Sequence, residues 1–390
     1  MLPRERVFKT LRHEEPDIIP WGEHSIDYNI YEDILGRKTF VQSKFRHTKA
    51  LWEGRRDEIV ASHKKDIIDL ADALGFDIIL APGMPSVKEV HKPMEKIDDE
   101  TYRDENGNIY RISATTYDLM PYKMNPDAFK PPTIEEMKEA IEKIDREGAE
   151  RPDDSCWEVV RHIVQEKKST HFIMTFWHDF IWPSFGQTDE DFYINLHLHP
   201  EMYEVIAELN GKRAIAGLRY VAEQGVDAVM TPGDMGTSTG ALASPKVYKE
   251  YVFPWHKRYV EEAHRLGLKI IKHCCGMVWD FVDDFVRAGY DAYEGIQASA
   301  GMDMKKLKEQ VGDRLTLWGG VTNENLIAGT PDDVRRDAHY AIKWGAPGGG
   351  FIYGASHSLA VGTKLQNLLA MKEAREKWGV YPISTEKNKH

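Results

Sequence analysis

The sequence has few cysteines, no long apolar run and no block of basic residues. Only three of its 390 residues are cysteines, and two of them, Cys274 and Cys275, are adjacent, which argues against a disulfide framework. No apolar run approaches the roughly 18 residues that span a bilayer, and the charged residues 1–17 lack the apolar core of a signal peptide. With 51 basic and 63 acidic side chains, the formal charge of −12 argues against nucleic acid as the main partner. We therefore expect a cytoplasmic protein without a nucleic-acid or membrane partner.

One pattern recurs along the chain: a helix ends at a glycine, and a short apolar strand follows. It occurs at four positions, which are Gly75, Gly225, Gly267 and Gly289. A glycine after the last helical turn can adopt the left-handed conformation that caps a helix. A strand that is buried on both faces reads as a continuous apolar run, which is typical of parallel sheets. The repeat therefore predicts parallel βα units.

Eight segments qualify as strands, and helices such as the one that Pro245 begins lie between them. The predicted strands are 18–23, 77–81, 171–177, 227–231, 269–275, 291–296, 315–319 and 350–353. Eight parallel strands with interleaved helices predict an α/β fold of the (β/α)8, or TIM-barrel, type. We expect a single barrel domain over residues 1–383, followed by a loose tail at 384–390.

Residues 86–130 interrupt the pattern of helices and strands. They alternate apolar and polar side chains, and Asn106 and Gly107 lie between two short apolar segments. Asn-Gly in this position is typical of a β-hairpin turn. We therefore predict a β-hairpin insertion after the second strand, placed where it can cover the mouth of the barrel.

In barrels of this type the reactive side chains lie at the carboxyl ends of the strands. Histidine, cysteine, carboxylate and aromatic side chains converge on those ends in this sequence. The candidate substrate-binding residues are Glu23, His24, Trp177, Gln297 and Tyr353. An aromatic stretch at 176–185 either lines an apolar substrate pocket or packs beneath the insertion, and both interpretations stay open.

The sharpest local signal is the segment Lys272-His273-Cys274-Cys275-Gly276. Residues two apart on a strand point to the same side, so His273 and Cys275 face one way and Cys274 the other. An imidazole and a thiolate at a strand end supply two zinc ligands, and Gly276 would leave space beside the metal. The alternative is that both cysteines are buried and inert, as free cysteines often are.

The third zinc ligand must come from another strand. Glu294 ends the neighbouring strand, and its carboxylate together with the thiolate of Cys275 would neutralise Zn²⁺ while His273 stays neutral. We therefore predict the set His273, Cys275 and Glu294. Asp234 and His357 compete with Glu294, either as ligands or as hydrogen-bonding partners of the ligands.

Several motifs together resemble the uroporphyrinogen decarboxylase superfamily. They occur in that family's order over nearly the whole chain, and the resemblance implies a (β/α)8 barrel. The motifs lie at residues 4–12, 16–20, 272–276, 317–321, 329–334 and 348–352, followed by Ser356 and His357.

The resemblance distinguishes two kinds of superfamily member. True decarboxylases carry an arginine-rich motif just after the first strand, whereas residues 21–27 of this chain are acidic and contain no arginine. The second branch consists of zinc methyltransferases of the methanol, methylamine and O-demethylase types, which bear His-x-Cys at the end of strand five, as His273 and Cys275 do here. The second cysteine that some members carry after strand seven is missing.

The resemblance therefore implies a zinc methyltransferase that exchanges a methyl group between a small substrate and the cobalt of a corrinoid. The oxygen-bearing ligand set and the aromatic stretch favour a methoxylated substrate, with aromatic compounds among the candidates. His178, Asp234 and His357 are the candidate catalytic residues, as proton donors to the leaving oxygen. No Asp-x-His-x-x-Gly stretch occurs, so the cobamide would arrive on a separate corrinoid protein. Two alternatives remain: a metal-independent decarboxylase that uses His357 and Asp234, and a non-catalytic tetrapyrrole- or corrinoid-binding module.

Overall fold

The computed structural model describes residues 1–128, 130, 132–178, 194–195 and 198–383. The predicted tail at 384–390 and most of the aromatic stretch, residues 179–185, lie outside the described residues. The strands are β1 (Ile78–Leu80), β2 (Glu95–Lys96), β3 (Thr101–Arg103), β4 (Ile109–Ile112), β5 (Leu119–Lys123), β6 (Phe172–Phe176), β7 (Ala228–Thr231), β8 (Lys269–His273), β9 (Ala292–Ile296), β10 (Thr316–Val321) and β11 (Phe351–Ala355).

Helices surround the strands. They are α1 (Pro3–Leu11), α2 (Tyr28–Leu35), α3 (Phe45–Trp52), α4 (Arg56–Leu74), α5 (Ile134–Glu147), α6 (Glu158–Lys167), α7 (Pro200–Ala222), α8 (Pro245–Val247), α9 (Phe253–Arg265), α10 (Val282–Ala288), α11 (Met304–Val311), α12 (Asn323–Ile327), α13 (Pro331–Gly345) and α14 (Leu365–Trp378). A π-helical turn (Tyr248–Val252) joins α8 to α9. Within the described part of the chain, no helix is long and apolar enough to cross a membrane.

The central layer is a seven-stranded parallel sheet in the order β1-β6-β7-β8-β9-β10-β11. Successive strands are neighbours and parallel, because a helix carries the chain back to the same end before each new strand. The four glycines that were expected to end helices all have positive φ, between 75° and 91°. The prediction of an α/β fold with a parallel sheet is confirmed, and the seven described strands are consistent with a TIM-barrel-like fold.

The prediction of a regular first strand at 18–23 is wrong. Trp21 makes only an isolated parallel bridge with Tyr353. The segment nevertheless forms hydrogen bonds toward both edges of the sheet. On the side of β11, the N–H of Tyr353 donates to the carbonyl of Pro20 at 2.8 Å. On the side of β1, the N–H of Asp77 donates to the carbonyl of Trp21 at 2.7 Å. Pro20 has no N–H to donate, so the ladder is interrupted where an eighth strand would lie.

Helix α1 fills the amino-terminal end of the curled sheet. Val7 and Leu11 pack among the side chains inside the sheet, such as Trp318. Ion pairs fix the helix to the strand starts, and Arg4 lies 2.8 Å from the buried Asp227. With this end filled, the carboxyl ends of the strands are left for a functional site.

Within the predicted insertion at 86–130, strands β2 to β5 form a separate four-stranded antiparallel sheet. β3 and β4 pair on either side of Gly107, which has a φ of +83°. The sheet contacts α3, where the N–H of Phe45 donates to the carbonyl of Tyr117 at 3.1 Å. It therefore lies beside the loops that precede α4, at one side of the parallel sheet.

Candidate metal centre

Strand β8 carries an imidazole and a thiol to its carboxyl end. The Sγ of Cys275 lies 3.4 Å from the Nε2 of His273. Cys274 lies between them but is buried in the core on the other face of the strand, where its Sγ accepts the N–H of Met235 at 3.1 Å. The structure therefore brings His273 and Cys275 together and separates Cys274 from them, because side chains alternate across a strand.

A carboxylate from the neighbouring strand joins this pair. Asp234 follows β7, and its Oδ1 accepts the N–H of Cys275 at 2.6 Å. The same oxygen lies 3.7 Å from the Nε2 of His273. One donor atom from each of these three side chains lies within 4.8 Å of the others. Nitrogen, sulfur and oxygen donors in this arrangement are a set that zinc accepts.

Glu294 lies beside Nδ1 of His273, the ring nitrogen that faces away from Cys275 and Asp234. It is opposite His273 in the register of β8 and β9, and its Oε2 hydrogen bonds with the Nδ1 of His273. Its Oε1 lies 2.9 Å from the Nδ1 of His24. The imidazole rings of His24 and His273 pack against each other, with their centroids 4.4 Å apart. Glu294 is therefore held between two imidazoles, while Cys275 and Asp234 lie at the Nε2 of His273.

Charge complementarity stabilises this buried cluster. Burial alone would raise the pKa of Glu294, but the adjacent His24 and His273 outweigh it and lower that pKa to about 2. Burial likewise opposes the charged form of His273, yet Glu294 raises the pKa of this imidazole above its ordinary value. Burial and the neighbouring Asp234 raise the pKa of the Cys275 thiol. A metal that binds here must therefore displace the proton of the Cys275 thiol, and it competes with a proton for His273.

Two overlapping groups of three side chains have donor atoms close enough to hold a metal: His24 with His273 and Glu294, and Asp234 with His273 and Cys275. In the first group the donor atoms already hydrogen bond to one another, and the site is buried. In the second group the side chain of Asp234 is 49% exposed, which leaves an open side for a substrate. Metal-binding histidines typically bond a carboxylate through the other ring nitrogen, as His273 does with Glu294. The geometry therefore fits zinc at His273, Cys275 and Asp234, and it places Glu294 behind His273.

Gly276 does not leave open space beside this group. It has a φ of +83°, and a Cβ built on it would lie 2.5 Å from the carbonyl carbon of Gly236. Its N–H donates to the Oε1 of Gln297 at 3.0 Å. The expectation of free space at Gly276 is therefore wrong, because the loop after β7 packs directly on it. Gln297 acts through this hydrogen bond to fix the loop that follows Cys275.

The other two candidate proton donors lie outside both groups. The Nδ1 of His357 lies 3.1 Å from the Nδ2 of Asn323, which also donates to the carbonyl of Ser358 at 2.6 Å. Burial lowers the pKa of His357. His178 is exposed, and its ring lies edge-on to Trp177 with centroids 4.4 Å apart.

Two of the predicted substrate-binding residues have structural contacts instead. The hydroxyl of Tyr353 donates to the carbonyl of Met371 at 3.0 Å, and the whole side chain is buried. The indole N–H of Trp177 donates to the carbonyl of Ala214 in α7 at 3.0 Å. Both side chains turn toward the helix layer, because alternate residues of these strands face the helices. Substrate binding by Tyr353 and Trp177 therefore stays a prediction, and the contacts that the structure gives for their polar atoms are with the backbone of the helix layer.

Glu23 and His24 line a cavity beside the cluster. The carboxylate of Glu23 accepts the indole N–H of Trp21 at 2.9 Å, and burial raises the pKa of Glu23 to about 8. Two further polar residues of this cavity, Tyr31 and His63, are missing from the sequence-based candidates. The available signal was a histidine on the apolar face of a helix, since His63 lies in α4 with Ile59, Ile67 and Leu70 at helical spacing.

Two comparisons relate the chain to known sequences. Residues 186–378 match the family model of uroporphyrinogen decarboxylase (URO-D). A uroporphyrinogen decarboxylase from Coxiella burnetii is 23% identical over 192 residues, which are 47% of this chain and 50% of the relative. The chain therefore matches only half of that relative's length.

A solved structure shares the fold over nearly the whole chain. It is a methyltransferase from Methanosarcina mazei, with a TM-score of 0.66 and 15% identity, and the match covers 97% of this chain and 99% of that chain. At this identity the likeness establishes the fold. Together with the family match, it confirms the resemblance to the uroporphyrinogen decarboxylase superfamily.

Proposed function

We propose that this chain, which belongs to the uroporphyrinogen decarboxylase superfamily through residues 186–378, is a zinc methyltransferase. It would move a methyl group between a small substrate and the cobalt of a separate corrinoid protein. The observation that carries the proposal is the grouping of His273, Cys275 and Asp234, whose donor atoms lie within 4.8 Å of one another. The shared fold with the Methanosarcina mazei methyltransferase supports the same class of reaction.

The metal and the side chains around His273 would have distinct tasks. When bound, zinc supplies a Lewis acid that polarises the oxygen from which the methyl group departs. His273 offers its Nε2, because its Nδ1 is engaged with Glu294. Glu294 thus sets the tautomer and orientation of the ring, and His24 holds the other oxygen of Glu294 at 2.9 Å.

We propose that His357 supplies a proton to the departing oxygen. Its Nδ1 accepts the amide N–H of Asn323, since the same amide nitrogen donates to the carbonyl of Ser358 and is thereby identified as the NH₂ group. The neutral ring therefore carries its proton on Nε2. His178 is less suited, because it is exposed to solvent and contacts neither group of donors.

The family and the Coxiella burnetii relative favour a second candidate, a decarboxylase without a metal. Such an enzyme would use His357 and Asp234 for proton transfer. The segment that follows Trp21 does not favour a polyanionic tetrapyrrole, because residues 21–27 contain no arginine that could pair with its carboxylates. Loss of CO₂ from an acid in metal-free protein would support this candidate.

The proposal is tested by following the absorbance of cob(I)alamin with the purified protein and a panel of methylated donors. We expect methylcobalamin to form with zinc-loaded protein, to cease after chelation, and to return when zinc is restored. Tetrahydrofolate and a simple thiol serve as control acceptors in the absence of any cobamide. Methyl transfer to either of these without cobamide would contradict the corrinoid assignment.

A further inference from the structure

A surface cleft of about 270 Å³ lies at the end of the parallel sheet opposite the candidate metal centre. The residues that line it are Lys305, Lys308 and Glu309 of α11, Lys343 and Trp344 of α13, and Pro347 in the loop that leads to β11. This loop enters the amino end of β11, whereas the donors proposed for zinc lie at the carboxyl ends of the strands. A ligand in the cleft would therefore meet none of those donors.

The loop before β11 anchors the side chain of Lys308. The Nζ of Lys308 donates to the carbonyl of Gly349. Gly349 has a φ of +77°, and a Cβ built on it would lie 2.7 Å from the backbone of Glu14. The N–H of Gly348 donates to the Oε1 of Glu15 at 2.8 Å, which ties the loop to the segment after α1. The amine of Lys308 is therefore held, half-buried, at the wall of the cleft.

The amine of Lys308 loses its proton more readily than an ordinary lysine does. Burial lowers its pKa from 10.5 to about 8, although Glu15 and Asp313 act in the opposite direction. Among the described residues, no carboxylate oxygen lies within 4.0 Å of its Nζ. At pH 7.5 about a quarter of such amines are neutral, against about one in a thousand at the ordinary pKa. Desolvated lysines of this kind are nucleophiles that form Schiff bases with carbonyl compounds.

Two further ammonium groups lie beside an aromatic side chain in the cleft. The Nζ of Lys305 is 4.4 Å and the Nζ of Lys343 is 5.2 Å from the ring centroid of Trp344. Of the described residues that line the cleft, one is a carboxylate, Glu309, which is exposed and lies 3.8 Å from Lys305. The lining thus carries a net positive charge on a chain whose formal charge is −12. The cleft therefore favours an anionic ligand.

The size and the wall of the cleft favour a compact, flat ligand. An apolar protein cavity of about 150 Å³ accepts benzene. A space of about 270 Å³ is therefore large enough for one ring with an anionic and a carbonyl substituent. The indole of Trp344, the ring of Pro347 and the methylene stems of the lysines supply apolar contacts for such a ring.

We propose that this cleft binds a small anionic aldehyde and that the amine of Lys308 condenses with its carbonyl group. The neutral amine attacks the carbonyl carbon, so a C–N bond forms while the second C–O bond opens and the oxygen takes up a proton. The resulting carbinolamine loses water, which carries away the carbonyl oxygen and both amine protons, and a C=N bond remains. No oxidant or reductant is required. Lys305 and Lys343 bind the anionic group.

The test uses 4-formylbenzoate as the anionic aldehyde and methyl 4-formylbenzoate as its uncharged counterpart, with the whole chain at pH 7.5. Sodium cyanoborohydride traps the imine, and mass spectrometry of the peptides gives the rate at each lysine. We expect Lys308 to react at least about tenfold faster than Lys306, an exposed lysine of the same helix. The rate at Lys308 should rise with a midpoint near pH 8, while that at Lys306 should still rise above about pH 9.

The variants separate the nucleophile from the groups that bind the anion. Lys308→Arg keeps the positive charge but should lose the fast reaction, whereas the matched control Lys306→Arg should retain it. At Lys308 of wild type, we expect the carboxylate to react about 3- to 10-fold faster than the ester. Lys305→Gln combined with Lys343→Gln should abolish this preference, because both ammonium groups beside Trp344 disappear. Thermal unfolding of each variant verifies that it is folded.

Three results would overturn the inference: a reaction at Lys308 no faster than at Lys306, equal rates of the two aldehydes at Lys308 of wild type, or a preference for the carboxylate that survives in the double variant. The measurements involve neither zinc nor cobamide. Their outcome is therefore independent of the methyltransferase function proposed above.

Discussion

Asp234 and Glu294 should differ in how strongly they affect zinc binding. Asp234 lies at the same nitrogen of His273 as the thiol of Cys275, whereas Glu294 hydrogen bonds with the other ring nitrogen. Asp234→Asn removes a charged ligand from the metal. Glu294→Gln leaves all three proposed ligands in place and removes only the charge that orients His273.

The expected magnitudes follow from these positions. Loss of an outer hydrogen-bond partner of a metal ligand typically weakens metal binding about 10- to 100-fold, or about 1.4–2.7 kcal/mol. For Glu294→Gln we expect a loss in this range, because the carboxylate also holds His24 and is fully buried. For Asp234→Asn we expect a loss of more than about 100-fold, because a ligand and its charge both disappear.

Chelator competition at pH 7.5 gives the affinities of wild type and both variants. Asp313→Asn is the control, because its side chain is 79% exposed and takes no part in either group. The reasoning is refuted if Glu294→Gln loses more affinity than Asp234→Asn. In that case Glu294 is the third ligand, as the strand order alone suggests, and His273 binds through its other nitrogen.

Three further predictions concern stability and are checked by urea unfolding. Gly276→Ala should lower the free energy of unfolding by roughly 2 kcal/mol or more, because the new Cβ would collide with backbone atoms. The control Gly267→Ala, whose Cβ would have nothing within 4 Å, should lower it by about 1 kcal/mol. Equal losses would contradict the tight contact at Gly276. Asp77→Asn should lower the free energy of unfolding by about 3–5 kcal/mol, because it removes the carboxylate that pairs with the buried Arg375. A loss below about 1 kcal/mol would contradict this. The pKa of His63 in the folded protein, about 4, lies below its ordinary 6.5, so the unfolded chain binds the extra proton. Wild type should therefore lose up to about 3 kcal/mol as the pH falls from 7 to 4, relative to His63→Gln; parallel pH profiles would contradict the assignment.

The order of the strands and the central pair of the site could be predicted from the sequence because both depend on local periodicity. Four glycines that end helices mark the βα repeats, and alternation along β8 puts His273 and Cys275 on one face. The segment at 18–23 was mispredicted because its apolar pattern is that of a strand, while Pro20 interrupts the ladder.

The details of the site depend on contacts that no local pattern records. Glu294 lies in β9 and Asp234 follows β7, and both of these strands neighbour β8. Only the orientation of the His273 ring decides which carboxylate lies beside Cys275. Tyr353 ends a predicted strand, yet its hydroxyl reaches the backbone of α14. His63 is distant in sequence from every strand end, and only the packing of α4 against β1 brings it to the cavity.

The central claim is that His273, Cys275 and Asp234 hold the metal that methyl transfer requires. The most direct measurement compares the rate of methylcobalamin formation, together with bound zinc, in wild type, Cys275→Ala and Cys274→Ala. The two cysteines are adjacent in sequence but face opposite sides of the strand, so the pair of variants separates ligation from general damage. We predict about one zinc per chain and full methyl transfer in wild type, loss of both in Cys275→Ala, and retention of both in folded Cys274→Ala. Equal zinc content and equal rates in the two variants would contradict the account.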